Sequence, residues 1–534
     1  MKQICLYFEI HQPVHLKRYR FFEIGKDHYY YDDYENERAI RDTADNSYVP
    51  ALTTLLEMCK QNDNFKCCFS LSGVAIEMLE QYAPEVIDLL QQIAETGKAD
   101  FLAEPYSHGL ASLGSEESFK NEVARLAGRV KELFGVEPKV MRNSNLIYSD
   151  EIGSMAADMG YKGIIVEGAK HILGWKSPHY VYSCAVDNRI SVLMRDYKLS
   201  DDICLRFSDS SWNEYPLMAD KYIDWIANLP QSEEVITIGM ELCAIGMFQP
   251  LSSNILDFIK ALPVCAAQRG IGFATPAELV ENRKAVDSIE VPYPMSWNDE
   301  ERDISGWLGN TMQREAFAKM YEEKLVGRIL ACKDRRIKQD WDRLQATNNF
   351  QYMTTKPQAV PMLRSFYDSA FDAFTNYMNI LGDFLKRVND LFSENVENDE
   401  LNALYTQIAN LGDELTVKEN EISVLRARLE KFEGKAEKAE EPAPAKKAPA
   451  KKKTEEAAEA VTDAAPKKRT CTRKPKNTAE AEKTKKKLIG NNHKSASTIQ
   501  KPFRHCNIVI GRRMTSINDH HTQINAAGSE IILH

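Results

Sequence analysis

Residues 140–169, VMRNSNLIYSDEIGSMAADMGYKGIIVEGA, hold two short apolar runs with an amphipathic segment, DEIGSMAADMGYK, between them. A strand that passes through a helix into a second strand is the unit of a parallel sheet with helices packed outside it. The same alternation runs from residue 1 to about 285, through KQICLYFEI, FKCCFSLS, ADFLAEPY, ISVLMRD, EVITIGM and GIGFATPAE. About eight such units within roughly 300 residues favour closure into a barrel over an open sheet. The polar residues then fall in a pattern. His11, Glu104, His108, Arg142, Asn145, Glu167, Asp196, Asp201, Asp202 and Glu241 all sit at or just after the C-terminal end of an expected strand, the face where parallel barrels keep their active sites.

At 534 residues and 43 % hydrophobic composition the chain can bury a large core and has length for two to four domains. The start, MKQICLYFEIHQP, lacks the apolar h-region of a signal peptide, and no stretch approaches the roughly 18 apolar residues of a membrane span. Eleven cysteines, an odd number without metal-type spacing, point to free thiols in a reducing cytoplasm. The net charge of −10 hides a split: residues 435–534 carry 22 Lys and Arg against 11 Asp and Glu, so the body before them is strongly acidic. An acidic body argues against a general grip on nucleic acid, while the tail suits weak polyanion binding.

The expected domains are a barrel over 1–290, a helical domain over 291–398, a coiled-coil helix over 399–433 and a disordered basic low-complexity tail over 434–534. The coiled-coil seam runs through Ile408, Leu411, Leu415, Ile422, Leu425, Leu429 and Phe432; such a seam is buried only against a partner or the body, and self-association through 401–432 is one way to cover it. The tail, AEEPAPAKKAPAKKK and onward, has almost nothing to bury.

Among motifs, His11-Gln12-Pro13 follows the first strand directly. An imidazole and an amide in a proline-fixed turn suit hydrogen bonding to sugar hydroxyls or tuning of a nearby carboxylate, although a lone histidine at a strand end is more often structural. AEPYSHGLASL adds Glu104, Tyr106 and His108. The segment 193–212 gathers Arg195, Asp196, Asp201, Asp202, Arg206 and Trp212, charges with an aromatic that suit carbohydrate binding; a salt-bridged loop is the plain alternative. Zinc spacing, a nucleophile elbow, a P-loop and a dinucleotide fingerprint are all missing from the sequence, so no metal and no cofactor is expected and carboxylate chemistry leads.

These stretches together, with YFEIHQPVHL, SGVAIEMLEQYAPEV, GMELCAIGMFQP, SWNDEERDISGWLGN and LQATNNFQYM, resemble an α-amylase-type member of glycoside hydrolase family 57, in order over about residues 1–385. The resemblance implies an α/β fold, an incomplete (β/α)7 TIM-like barrel followed by a helical domain, and retaining action on α-1,4-glucans such as glycogen, starch or maltodextrin. It implies substrate contacts from His11, Gln12, Glu104, His108, Arg142, Glu167, Asp201, Asp202 and Trp212. Retaining glycosidases use two carboxyl groups, a nucleophile and an acid/base. The family's nucleophile is a glutamate in a motif close to R-N-T-E-L-I-Y, where this chain reads Arg142-Asn143-Ser144-Asn145-Leu146-Ile147-Tyr148; its acid/base is an aspartate in a motif resembling F-M-D-Y-E-T-F-G-E-H, where this chain places Glu241. Asn145 is nearly isosteric with a carboxylate but forms no glycosyl ester and carries no charge. The expected function is therefore an α-amylase-like glucan protein with hydrolysis weak or lost. The alternatives are an active hydrolase or glucanotransferase that pairs Glu241 with another rim carboxylate, such as Glu167 or Glu104, and a non-catalytic glucan-binding or assembly protein.

Overall fold

The computed structural model describes residues 1–356 and 365–392, together with Lys418. Its strands are β1 (Gln3–Ile10), β2 (Cys67–Leu71), β3 (Ala99–Phe101), β4 (Val140–Arg142), β5 (Gly163–Glu167), β6 (Val181–Cys184), β7 (Ser191–Arg195), β8 (Val235–Glu241), β9 (Gly272–Phe273) and β10 (Ser288–Ile289). β1 lies between β2 and β8, β3 continues beyond β2, and β4, β5 and β7 follow one another, every pair parallel. Two thin seams close the ring. At one, Ala103 just past β3 bridges Met141, with Ala103 N–H donating to Val140 O at 3.1 Å and Arg142 N–H to Ala103 O at 2.8 Å. At the other, β7 meets β8 through the single register pair Arg195–Thr237. The fold is thus α/β, a (β/α)7-type barrel of seven parallel strands, as the family resemblance implies, one strand fewer than the roughly eight units the alternation alone suggests. β6 runs antiparallel to β7, β10 lies beside β6, and β9 lies beside β1.

Strand alternation sorts the residues between two cores. Ile4, Leu6, Phe8 and Ile10 pack outward against the helices, whereas Cys5 and Tyr7 join Cys68, Val140, Ile165 and Leu193 in a second cluster inside the ring. Continuing the same alternation one step toward the C-terminal ends brings Glu9, Ser70, Arg142, Glu167, Arg195, Gly239 and Glu241 to the inner face. Apolar filling below and polar residues above follow from one period. Tyr7 fills the centre because Gly239 on the adjacent strand has no side chain: a Cβ there would lie 1.9 Å from Tyr7 Cε1.

Local capping sets the connecting helices. Ser149 accepts from the Ile152 N–H to start the helix Asp150–Asp158 of the quoted stretch, and Ser115 accepts from Ser118 N–H to start Glu116–Phe134, which ends at Gly135 with φ 70°.

The helices Ser305–Leu308, Thr311–Met320, Glu323–Ala331, Arg335–Gln345, Thr347–Gln351 and Ala370–Leu391 follow the barrel. Two contacts tie them to it. Buried Asp383, on the last helix, accepts from Gly25 N–H (2.6 Å), His28 Nδ1 (2.9 Å) and Tyr30 OH (2.7 Å), fastening the long excursion after β1. The short helix Thr347–Gln351 reaches the barrel mouth, where Thr347 N–H donates to His108 O at 3.1 Å. Residues 393–398 of the expected helical domain, the coiled coil of 399–433 apart from Lys418, and the basic tail of 434–534 lie outside the described residues. No helix among the described residues is long and apolar enough to cross a membrane.

Candidate active site

Arg142, at the end of β4, is 1 % exposed and anchors one side of the mouth. Its Nη2 donates to Glu9 Oε2, and its Nη1 donates to Glu104 Oε2 at 3.3 Å. Glu104 is fully buried and also accepts from the Ser70 hydroxyl. His108 lies between the two carboxylates, with Nδ1 3.4 Å from Glu104 and Nε2 3.5 Å from Glu9. Its ring stacks on His11 at 4.0 Å, and His11 bridges Ser72 and Asn348, both at 2.8 Å. Burial drives His108 down to about 4 and holds His11 well below the ordinary histidine range, so at neutral pH the stacked rings are both uncharged.

Arg195, at the end of β7, anchors the other side. It donates to both Glu167 oxygens (3.2 and 3.3 Å), to Asp201 (2.7 Å) and to Gly239 O (2.8 Å). Arg302 reaches the same Glu167 at 3.4 Å while its guanidinium stacks over Tyr197 at 4.7 Å. Glu167 is fully buried, and burial raises its pKa against the pull of the two arginines.

Asn145 stands between these networks and the helical part. Its Nδ2 donates to Thr347 Oγ1 at 2.8 Å and its Oδ1 accepts from Trp297 Nε1 at 3.1 Å. Its backbone is left-handed, φ 53°, and so is that of Leu146, φ 54°. Asparagine tolerates that region and leucine does not, so the turn after β4 stores strain. The amide at this position is held on both its polar atoms by residues from outside the barrel strands.

Glu241 is half-buried and accepts a hydrogen bond from the Cys243 thiol at 3.2 Å. Burial, reinforced by the charge of Glu9, pushes it up to about 7. It lines a cleft with Tyr7, Glu9, Arg142, Arg195, Asp201 and Trp297, whose enclosed space is about 50 Å³. That is room for water and well below the roughly 300–1,000 Å³ of small-molecule pockets. A roomier cavity, about 830 Å³, lies elsewhere, on the flank between the helices Gly73–Tyr82, Glu116–Phe134 and Arg335–Gln345. It holds the ion pairs Arg125–Asp342 at 2.7 Å and Arg343–Glu77 at 3.3 Å, and none of the strand-end residues described above lines it.

Of the residues singled out in the sequence, His11, Glu104, His108, Arg142, Glu167, Asp201 and Glu241 meet at the mouth, with Asn145 beside them. Asp202 turns away to Arg206 at 2.7 Å. Trp212 packs near Trp225 and Arg206, outside the residues lining the cleft. Gln12 is half-buried in the turn after β1. Asp196 caps the helix Tyr197–Cys204 and pairs with His179 at 2.7 Å. Glu9, Trp297 and Thr347 are additions the sequence reading missed. Glu9 was within reach, because it shares the inward parity of Cys5 and Tyr7; Trp297 and Thr347 come from distant segments with no local signal. Among the described residues no group of three His, Cys, Asp or Glu side chains is arranged to hold a metal ion.

This fold has known counterparts. Residues 5–292 match the model of glycosyl hydrolase family 57. The chain belongs to glycosyl hydrolase family 57. A candidate alpha-amylase of Methanocaldococcus jannaschii is 34 % identical over 412 residues, covering 73 % of this chain and 86 % of that protein. Among solved family 57 structures, the branching enzyme of Pyrococcus horikoshii superposes with a TM-score of 0.55 at 12 % identity, over 77 % of this chain and 94 % of that one. A 4-alpha-glucanotransferase of Thermococcus litoralis superposes with a TM-score of 0.54 at 12 % identity, over 72 % of this chain. The chain spans 60 % of that glucanotransferase's length. At 12 % identity these structures share the family 57 fold with this chain.

Proposed function

We propose that this family 57 protein is an α-amylase-like protein that binds α-1,4-glucan, such as glycogen, starch or maltodextrin, at the barrel mouth, and that its hydrolysis is weak or lost because Asn145 occupies the nucleophile's place. The supporting observation is the commitment of the Asn145 amide. A nucleophile must be an anion free to reach the anomeric carbon, and this side chain is a neutral amide bonded on one atom to Trp297 and on the other to Thr347. The tight cleft supports the same reading. The surrounding donors and acceptors, Arg142, His108, His11 with Asn348, and the edge of Trp297, are of the kind that orient sugar hydroxyls. Nine free cysteines among the described residues support residence in a reducing cytoplasm. Self-association through 401–432 and weak polyanion binding by the tail complete the proposal.

The test is paired. Wild type and Asn145→Glu are assayed for reducing-end release from glycogen and maltoheptaose, with maltoheptaose binding read by calorimetry. The expected result is a wild type that binds and releases little, and a variant that gains at least about tenfold. A fast wild type unaffected by the change would show that residue 145 is not the vacated nucleophile position; a wild type that does not bind maltoheptaose would remove the glucan reading altogether.

A further inference from the structure

We infer that Glu9 is the carboxylate partner of Glu241, and that this pair, from neighbouring strands, carries out a slow retaining cleavage of α-1,4-linked glucan. The inference rests on the reading of the mouth as a glucan site and adds the chemistry that a neutral Asn145 leaves unassigned.

Three observations carry it. Glu9 and Glu241 are direct register partners on β1 and β8. Neighbouring strands lie about 4.8 Å apart with paired side chains running side by side. That spacing is close to the 5–5.5 Å between carboxyl groups of retaining glycosidases and short of the 6.5–9.5 Å of inverting ones. Next, the other carboxylates of the ring are unavailable. Glu104 and Glu167 are fully buried and do not line the cleft, and Asp201, which does, lies on the helix after β7 and is not a register partner of Glu241. Finally, the environments of the pair differ. Glu9 forms an ion pair with Arg142, whereas Glu241 receives its hydrogen bond from a neutral thiol. Burial and the nearby charge of Glu9 hold Glu241 up at about 7. Two carboxyl groups side by side, one ion-paired with an arginine and one able to keep its proton, is the division of labour that separates a nucleophile from an acid.

The step balances as follows. Glu241 gives its proton to the glycosidic oxygen as the C1–O bond breaks, and a Glu9 oxygen bonds to C1, leaving a glucosyl ester and a shortened glucan. Glu241, now a carboxylate, takes a proton from water, whose oxygen bonds to C1 and releases Glu9. Two inversions at C1 retain the α configuration. The free space of about 50 Å³ in the cleft is smaller than a glucosyl ring needs, which fits a low rate.

The decisive experiment offers the wild type 5-fluoro-α-glucosyl fluoride, whose activated leaving group favours formation of the ester and whose ring fluorine slows its hydrolysis, followed by peptide mapping by mass spectrometry. The expected result is a slow fluoride release with the label on Glu9. Glu9→Gln is expected to lower turnover of α-maltosyl fluoride at least about 10²-fold while changing maltoheptaose affinity less than about threefold. Glu9→Ala is expected to be rescued by azide with formation of β-linked glycosyl azide, which a merely structural role for Glu9 does not give. A label on any other residue, or an undiminished rate in Glu9→Gln, overturns the inference. A wild type that binds maltoheptaose but neither releases fluoride nor takes the label also overturns it while leaving the glucan-binding reading intact; one that does none of the three overturns both.

Discussion

On one side of the barrel mouth Arg142, at the end of β4, faces Glu9 and Glu104; on the other Arg195, at the end of β7, faces Glu167 and Asp201, and Arg302 brings a second cation to Glu167. The two sides share a plan, a buried arginine at a strand end holding two carboxylates. They differ in balance. The Arg195 side matches two cations to two anions, so its charges are spent on holding the β7–β8 seam and the 297–302 segment in place. The Arg142 side has one cation for two anions, and the charge of Glu9 adds to burial in raising the pKa of the neighbouring Glu241. A neutral network is scaffold; an unbalanced one perturbs a titratable group, which is what acid–base chemistry requires.

Removing each arginine in turn is the strongest way to break this comparison. Arg142→Met leaves the buried Glu104 and the largely buried Glu9 without a cation and is expected to cost about 3–5 kcal/mol of unfolding free energy. Arg195→Met leaves Glu167 with Arg302 and is expected to cost about 2–3 kcal/mol. Urea denaturation at pH 7.5 gives both values, and equal or reversed costs would contradict the charge argument. Next in size is Gly239→Ala, which acts at the partition between the two sides. The new methyl meets the Tyr7 ring, which is enclosed by the inner core and has no free direction to move, so a loss of about 2–3 kcal/mol is expected from overpacking. A neutral outcome would mean that Tyr7 does not fill the centre.

The smallest effect sharpens the comparison by pH. Burial and the charge of Glu9 push Glu241 up to about 7 in the native state, from the 4.5 of an ordinary glutamate. Between those values the native state holds a proton that the unfolded chain has released, so stability is lost as pH rises through this window and the full penalty is present above about 7. Glu241→Gln mimics the protonated form. Relative to wild type it is expected to gain about 1–2 kcal/mol at pH 8, a figure reduced for partial exposure, and nothing at pH 4. Thermal melts at the two pH values read the difference; a gain of equal size at both would assign the effect to packing instead of charge.

Much of this site was legible residue by residue. Polar groups at the ends of apolar runs marked His11, Glu104, His108, Arg142, Glu167, Asp201 and Glu241, because a parallel barrel exposes only those ends to one shared mouth. Asp196 and Asp202 carried the same signal and lie apart from the cleft, as does Trp212, singled out as an aromatic among charges. Composition cannot tell a charge that faces the barrel axis from one a turn later on the helix after β7, where Asp202 meets Arg206 four residues on. Glu9 escaped attention because it precedes a conspicuous His11-Gln12-Pro13 turn, although strand parity alone aims it inward.

The sequence by itself determined the alternation of strands and helices, the side of each strand that is apolar, the caps that start the helices and the neutral residue at position 145. All of these are local, set by periods of two and 3.6 residues and by side chains within a few positions of one another. Only the tertiary structure decided which polar residues became neighbours. Ring closure puts β1 beside β8 and so sets Glu9 against Glu241, 232 positions apart in the chain. The approach of the 297–302 segment and the helix Thr347–Gln351 decides that the Asn145 amide is held by Trp297 and Thr347. Burial and charge act through space, so the high pKa of Glu241 follows from that proximity and has no counterpart in the local sequence.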